Sequence, residues 1–334
     1  MNHYEEAASL AELISKANSI VVLQADNPDG DSLASSLALE HILGDLHKNV
    51  TLYCGAEIPS YLRYLPGWDR ITKDMPKSFD LSIIVDTSTK SLFENLDKNG
   101  QMSWLTSKPC VIIDHHQSTD TLDFADLVIN KPAVSTSEII YELALQLNWP
   151  LNIEAKAMIA VSILSDSLGL MSEATSARSI HIIAELVESG VRLAKLDNDR
   201  KELMRKSPEI LSYKGQLLGR IEYYANNRIA IVVIPWEEIE QYSPYYNPSI
   251  LVLDEMRLVK GVDVAIAIKH YPDGKITGKI RTNYGKDIAG DLAMHFGGGG
   301  HPYASGFKIT KARPLQSVKD ECIAEATRLL DNKT

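Results

Sequence analysis

Residues 19–46, "SIVVLQADNPDGDSLASSLALEHILGDL", read as a strand, a turn and a helix in immediate succession. "SIVVLQ" is short, rich in Val and Ile and bounded by polar residues, as buried strands are. Asn27, Pro28, Asp29 and Gly30 favour a turn. From Asp31 onward, Leu33, Leu37 and Ile42, with Ala34 and Ala38, can share one helical face, and Asp31 or Ser32 suits its N-cap. The alternation continues: "NVTLYC" (49–54), "LSIIVD" (81–86), "CVIID" (110–114) and "DLVI" (126–129) carry the strand pattern. Strands alternating with helices predict an α/β fold, a parallel sheet covered by flanking helices. The turn also crowds Asp26, Asp29 and Asp31 into six residues behind an apolar run. That is either an ordinary polar loop or a metal site, and acids far along the chain decide which.

A length of 334 residues suggests two domains. From about 136 to 206 the pattern is mostly helical, ending in the polar stretch "LDNDRKELMRKSPE". Beyond about 214, "RIAIVVIP", "VDVAIAIKHYP" and "GKITGKIRTN" read as strands, "KDIAGDLAMHF" as a helix, and "GGGGHPYASGFKI" follows. The expected organisation is an α/β domain at 1–188, a helical linker at 189–213 and a smaller α+β domain at 214–334.

Apolar residues make up 45% and charged residues 23%, as in soluble globular proteins. No apolar run approaches the roughly 18 residues of a membrane span. The N-terminal stretch lacks the basic start and apolar block of a secretory signal. Cys54, Cys110 and Cys322 are odd in number and form no CxxC pair, which points to a reducing cytoplasm. A net charge of −10 argues against long nucleic acid, whose binders carry a basic face. A small anionic substrate remains compatible where metal ions and local cations neutralise it.

Three strands end in acid or histidine: the first at Asp29 and Asp31, the third at Asp86, the fourth at Asp114, His115 and His116. Strand C-termini of a parallel sheet share one edge, where ligands bind. Asp166 follows an apolar helix. Four carboxylates and a histidine gathered at one edge would repel, and two divalent cations would relieve that repulsion and form a two-metal hydrolytic centre. Oxygen and imidazole donors together suit Mn²⁺, with Mg²⁺ the alternative. Near the C-terminus, Gly298, Gly299 and Gly300 let backbone N–H groups approach an anion or a flat base. Arg281 can grip a phosphate, and His301 can stack on a base or donate to a phosphate.

"NPDGDS", "IIVDTS", "DHH" and "SDSLG", in that order, resemble the four motifs of the DHH phosphoesterases. "GGGGHPYASGF" is similar to the substrate-binding domain that many members carry. Within the family the pairing looks most like the nanoRNase (oligoribonuclease)/pAp phosphatase group. The resemblance implies Asp86 bridging both metals, Asp29 on one, and Asp31, His115 and Asp166 on the other. It further implies His116 at the scissile phosphate or leaving group, Asp114 orienting a histidine, and Arg178, Arg281, the glycine run, His301 and Ser305 on the substrate. The implied substrates are short RNA oligonucleotides, pAp or dinucleotides. Homodimer formation is left open.

One position departs from the family. Where it usually carries histidine, four residues before the first Asp of its Asp-x-Asp pair, this chain has Ala25. Asp26 is the favoured substitute ligand, with the Gln24 carbonyl oxygen or a weakened site as alternatives. The expected function is therefore a metal-dependent phosphoesterase cutting short oligoribonucleotides or pAp. A cyclic or linear dinucleotide phosphodiesterase is the alternative within enzymes. A non-catalytic nucleotide-binding protein is the alternative of another class.

Overall fold

The computed structural model describes residues 3–116 and 122–332. It divides into two compact units, Met1–Arg205 and Lys206–Thr334. In the first unit, β1 (Ser19–Gln24), β2 (Asn49–Cys54), β3 (Leu81–Val85), β4 (Cys110–Asp114) and β5 (Leu127–Asn130) form one parallel sheet. The strand order is β2-β1-β3-β4-β5. Chain direction across the sheet therefore reverses between β1 and β3, the kind of crevice where open α/β sheets bind ligands. The helices are α1 (Ala7–Lys16), α2 (Gly30–Asp45), α3 (Glu94–Lys98), α4 (Met102–Thr106), α5 (Thr136–Gln146), α6 (Ile153–Asp166), α7 (Ala177–Glu188) and α8 (Leu193–Leu203).

The helix α2 is not amphipathic in the expected way. Every residue from Gly30 to Leu39 is buried, because the sheet lies on one side and α6 packs closely on the other. Ala34, Ser35, Ser36 and Ala38 keep its surface small enough for that approach. Gly30 shows how tight the junction is: a Cβ there would fall 2.0 Å from Ser165 Oγ. The start of α2 and the end of α6 are thereby pressed together, which sets Asp31 beside Asp166.

The second unit contains α9 (Pro208–Gly219), α10 (Trp236–Tyr242), α11 (Pro248–Arg257), α12 (Ala289–His295) and α13 (Leu315–Asn332). Its sheet runs β10-β11-β9-β8-β7-β6, built from β6 (Glu222–Tyr224), β7 (Ile229–Ile234), β8 (Val264–His270), β9 (Ile276–Thr282), β10 (Gly299–His301) and β11 (Ala304–Ile309). Only β7 and β8 are parallel. One face packs on α12 and α13, the other on α9, α10 and α11. All three cysteines are buried free thiols. Among the described residues no helix is long and apolar enough to cross a membrane.

Candidate functional site

The C-terminal ends of β1, β3 and β4 deliver the acids to one edge. Asp31 sits in the first turn of α2, Asp86 directly follows β3, Asp114 ends β4, and Asp166 ends α6. His115 stands at the centre. Its Nε2 lies 3.5 Å from Asp31 Oδ2, 3.4 Å from Asp86 Oδ1 and 3.3 Å from Asp166 Oδ2. Its Nδ1 faces the Ala133 carbonyl at 3.1 Å. A carbonyl only accepts, so Nδ1 carries a proton, and Nε2 faces three carboxylates that favour a positive charge there, a second proton or a cation. That nitrogen is buried with no hydrogen-bond partner. Two sets of candidate metal donors result, Asp31–His115–Asp166 and Asp86–His115–His116, each with atoms within 4.8 Å of one another.

Electrostatics report the same crowding. Burial, then the charge of Asp31, raises the Asp86 carboxyl well above the usual carboxylate range. Burial likewise raises Asp166, with Asp31 and Asp29 adding to it and His115 opposing. Burial alone would lower the His115 imidazole, but Asp166 and Asp86 overcome it and raise the group to about 11. A cluster that holds extra protons in this way is one that a cation can relieve. Asp86 also has φ of +61°, a left-handed conformation that Asp tolerates better than most residues.

Serine and threonine residues hold the acids in place. Asp31, fully buried, accepts from Ser35 Oγ at 2.8 Å, Ser162 Oγ at 2.5 Å and Thr136 N at 2.8 Å. Thr136 Oγ1 donates to Asp86 Oδ1 at 3.1 Å. Ser35 and Ser162 are in turn 2.7 Å from Ser137 Oγ and 3.0 Å from Ser135 Oγ. The helix α5 starts at Thr136 and aims its N-terminus at Asp31, where a negative charge is favoured. Sequence motifs do not single out Ser35, Ser137 or Ser162. The available signal is a set of small hydroxyls on buried stretches of helix that are otherwise mostly apolar.

The remaining predicted residues separate into those near this cluster and those committed elsewhere. Asp114 Oδ1 lies 2.9 Å from His116 Nδ1 and also accepts the His116 backbone N–H. Burial works to raise Asp114, and the His116 bonds more than offset it, leaving the carboxyl low; Asp114 raises His116 in return. Asp29 is the N-cap of α2, paired with Ser32 in a capping box. It lies outside both donor sets, although its charge reaches Asp86 and Asp166. Asp26 turns away: Oδ2 accepts the Asn95 N–H at 2.8 Å, and Oδ1 faces Gly55 without a partner. Gln24 is fully buried with both amide atoms unpartnered.

Arg178 is committed to an ion-pair network. Its Nε meets Glu142 at 2.8 Å and its Nη1 meets Glu185 at 3.1 Å, and Glu142 is fully buried. The guanidinium therefore balances a buried carboxylate and has little left for substrate. Arg178→Ala should cost about 3 kcal/mol in urea unfolding, the lower end for a broken buried pair because the side chain is 22% exposed. Its KM should stay within about twofold; a large rise in KM with unchanged stability would return Arg178 to the substrate.

In the second unit, Ser305 also serves the fold: its hydroxyl donates to the Ala289 carbonyl of α12. It faces the core with Ile280, its register partner on β9. His301 and Arg281 share the opposite face, because both align with Ala304. The glycine run is not a loose turn. Gly299–His301 is β10, and Gly300 has φ of +138° in a place where a Cβ would strike Ser305 and Ala304.

Residues 19–171 match the DHH family, N-terminal domain, and residues 249–332 match the DHHA1 domain. The chain is similar to proteins named bifunctional oligoribonuclease and PAP phosphatase. That of Mycoplasma genitalium is 24% identical, covering 93% of this chain and 94% of the relative. That of Bacillus subtilis is 25% identical, covering 90% and 92%. A solved structure of an exopolyphosphatase-related protein from Bacteroides fragilis shares the fold, with a TM-score of 0.84 and 21% identity over 98% of this chain and 97% of that one.

Proposed function

Because the chain belongs to the DHH family, its DHH domain followed by a DHHA1 domain, we propose that it is a metal-dependent phosphoesterase acting on short oligoribonucleotides and PAP. The observation that carries this reading is His115 Nε2, a buried ring nitrogen that faces three carboxylate oxygens at 3.3–3.5 Å and makes no hydrogen bond of its own. Bound divalent cations, Mn²⁺ first for a donor set of imidazole and carboxylate, would neutralise these acids and supply an activated water for attack on phosphorus. Asp31, His115, Asp166 and Asp86 would hold the cations, with Asp29 adding its free oxygen. The serine and threonine hydroxyls fix Asp31 and Asp86 so that neither can swing away. Asp114 orients His116 toward the substrate. The C-terminal unit would hold the nucleotide through His301 and Arg281. The names of the relatives support the substrate class, and the buried free thiols support a reducing cytoplasm.

The test is incubation with Mn²⁺ and labelled RNAs of increasing length, with PAP and a cyclic dinucleotide in parallel. Release of mononucleotide fastest from the shortest RNAs, and abolished by EDTA, is expected. Fastest turnover of the cyclic dinucleotide would favour the dinucleotide phosphodiesterase instead. Nucleotide binding with no product at any Mn²⁺ concentration would leave a non-catalytic binder, the reading that Ala25 supports.

A further inference from the structure

A cavity of about 520 Å³ in the C-terminal unit shares only Gly298 with the residues assigned above. Its position follows from strand register. Along β9, Ile276, Gly278, Ile280 and Thr282 are buried, so Thr277, Lys279 and Arg281 share the other face. Thr277 is directly opposite Lys269 on β8 and Lys308 on β11. Directly opposed residues share a face, so Lys269, Lys279 and Lys308 converge over Thr277. All three line the cavity. Arg281 does not, lying one same-face step further along β9.

The cavity is built for an anion. In a chain of net charge −10 it is lined by three lysines and no carboxylate, and none of the three forms an ion pair among the described residues. Burial, then Lys279, lowers the Lys269 ammonium to about 8, and burial with Arg281 lowers Lys279. The N-terminus of α11, a helix of 10 residues, faces the same space through Asn247 and Ser249 and brings its positive end there. Asn247 Oδ1 accepts from Lys269 Nζ at 2.9 Å and so holds that cation in place. Ser249 is 1% exposed, and its hydroxyl has no partner. A buried, unpaired donor beside uncompensated lysines is stabilised by an acceptor-rich anion.

We propose that this cavity is a phosphate subsite, formed by Lys269, Lys279, Lys308 and Ser249, that takes a second phosphate of a nucleotide whose neighbouring phosphate meets Arg281. Lys279, at the near end of the cavity, is two residues from Arg281 along β9, about 7 Å, one phosphate-to-phosphate step of an extended single strand. The proposal rests on the reading of this unit as the nucleotide holder. It adds that the preferred ligand carries two phosphates in a row.

Isothermal titration of the full-length chain in EDTA, where no turnover occurs, compares the dinucleotides pApA and ApA with inorganic pyrophosphate. Wild type should bind pApA about tenfold more tightly than ApA. In the double variant Lys279→Gln/Lys308→Gln the ratio should fall below about twofold. Lys308→Glu, at an exposed position that folding tolerates, should lower it similarly. A ratio that survives these substitutions, or equal binding of the two dinucleotides by wild type, overturns the subsite. Pyrophosphate that binds through these lysines while the dinucleotides do not differ overturns its assignment to a nucleotide. Failure of the hydrolase reading would appear separately, as absent product with Mn²⁺.

Discussion

Asp86→Asn should lower dinucleotide hydrolysis by about 10³-fold, roughly 4 kcal/mol of barrier, in a protein that remains folded. Asn keeps the size of the side chain and tolerates the left-handed backbone at φ of +61°. It can still accept from Thr136 Oγ1. What it loses is the anionic oxygen 3.4 Å from His115 Nε2 and 3.6 Å from His116 Nδ1. The same substitution carries a second, opposite signature. Asp86 is buried beside Asp31, and its charge is disfavoured there. In EDTA the variant should therefore melt a few degrees above wild type, at about 2–4 °C per kcal/mol for a chain of this size. Added Mn²⁺ should raise the melting temperature of wild type more than that of the variant, since a ligand stabilises the state that binds it. Wild-type turnover in Asp86→Asn would remove this carboxylate from the chemistry. A lower melting temperature in EDTA would show that Asp86 is structural and not a charge held in readiness for a cation.

The parts of this site that could be read from sequence are those with a local cause. The strands β1, β3 and β4 are buried along almost their whole length and mostly apolar because both faces of the parallel sheet are covered. Each ends where polar residues begin, so the edge carrying Asp31, Asp86 and His115 is legible without long-range information. What stayed hidden depends on distant partners. Asp26 reads as a ligand candidate from its neighbours, yet its carboxylate is claimed by the Asn95 N–H, 69 residues away. Ser162 on α6 is an unremarkable helix residue until Asp31 is buried against it. Gly299–His301 forms a strand despite a composition that disfavours one, because β11 supplies the pairing and the absence of side chains lets Gly300 pass close to Ser305. Arg178 next to "ATS" looks available, and only the buried Glu142 explains why it is not.

His116→Gln should lower kcat for a dinucleotide by about 10²–10³-fold, the usual range for a lost general acid, and should change hydrolysis of a p-nitrophenyl nucleotide ester by less than about fivefold. The contrast follows from geometry. Asp114 Oδ1 accepts from His116 Nδ1 at 2.9 Å, which fixes the ring and leaves Nε2 pointing outward on a side chain 54% exposed. Asn130 Nδ2 steadies the same residue through its carbonyl at 2.8 Å. A ring held this way can donate from Nε2 to an oxygen leaving from phosphorus. A ribose oxygen needs that proton, whereas p-nitrophenolate departs without it. Asp114→Asn should give a smaller loss, about tenfold, because an amide oxygen still accepts from Nδ1 but no longer favours the charged ring. Equal losses on both esters would mean that His116 stabilises charge on the phosphate itself, and the leaving-group assignment would be abandoned.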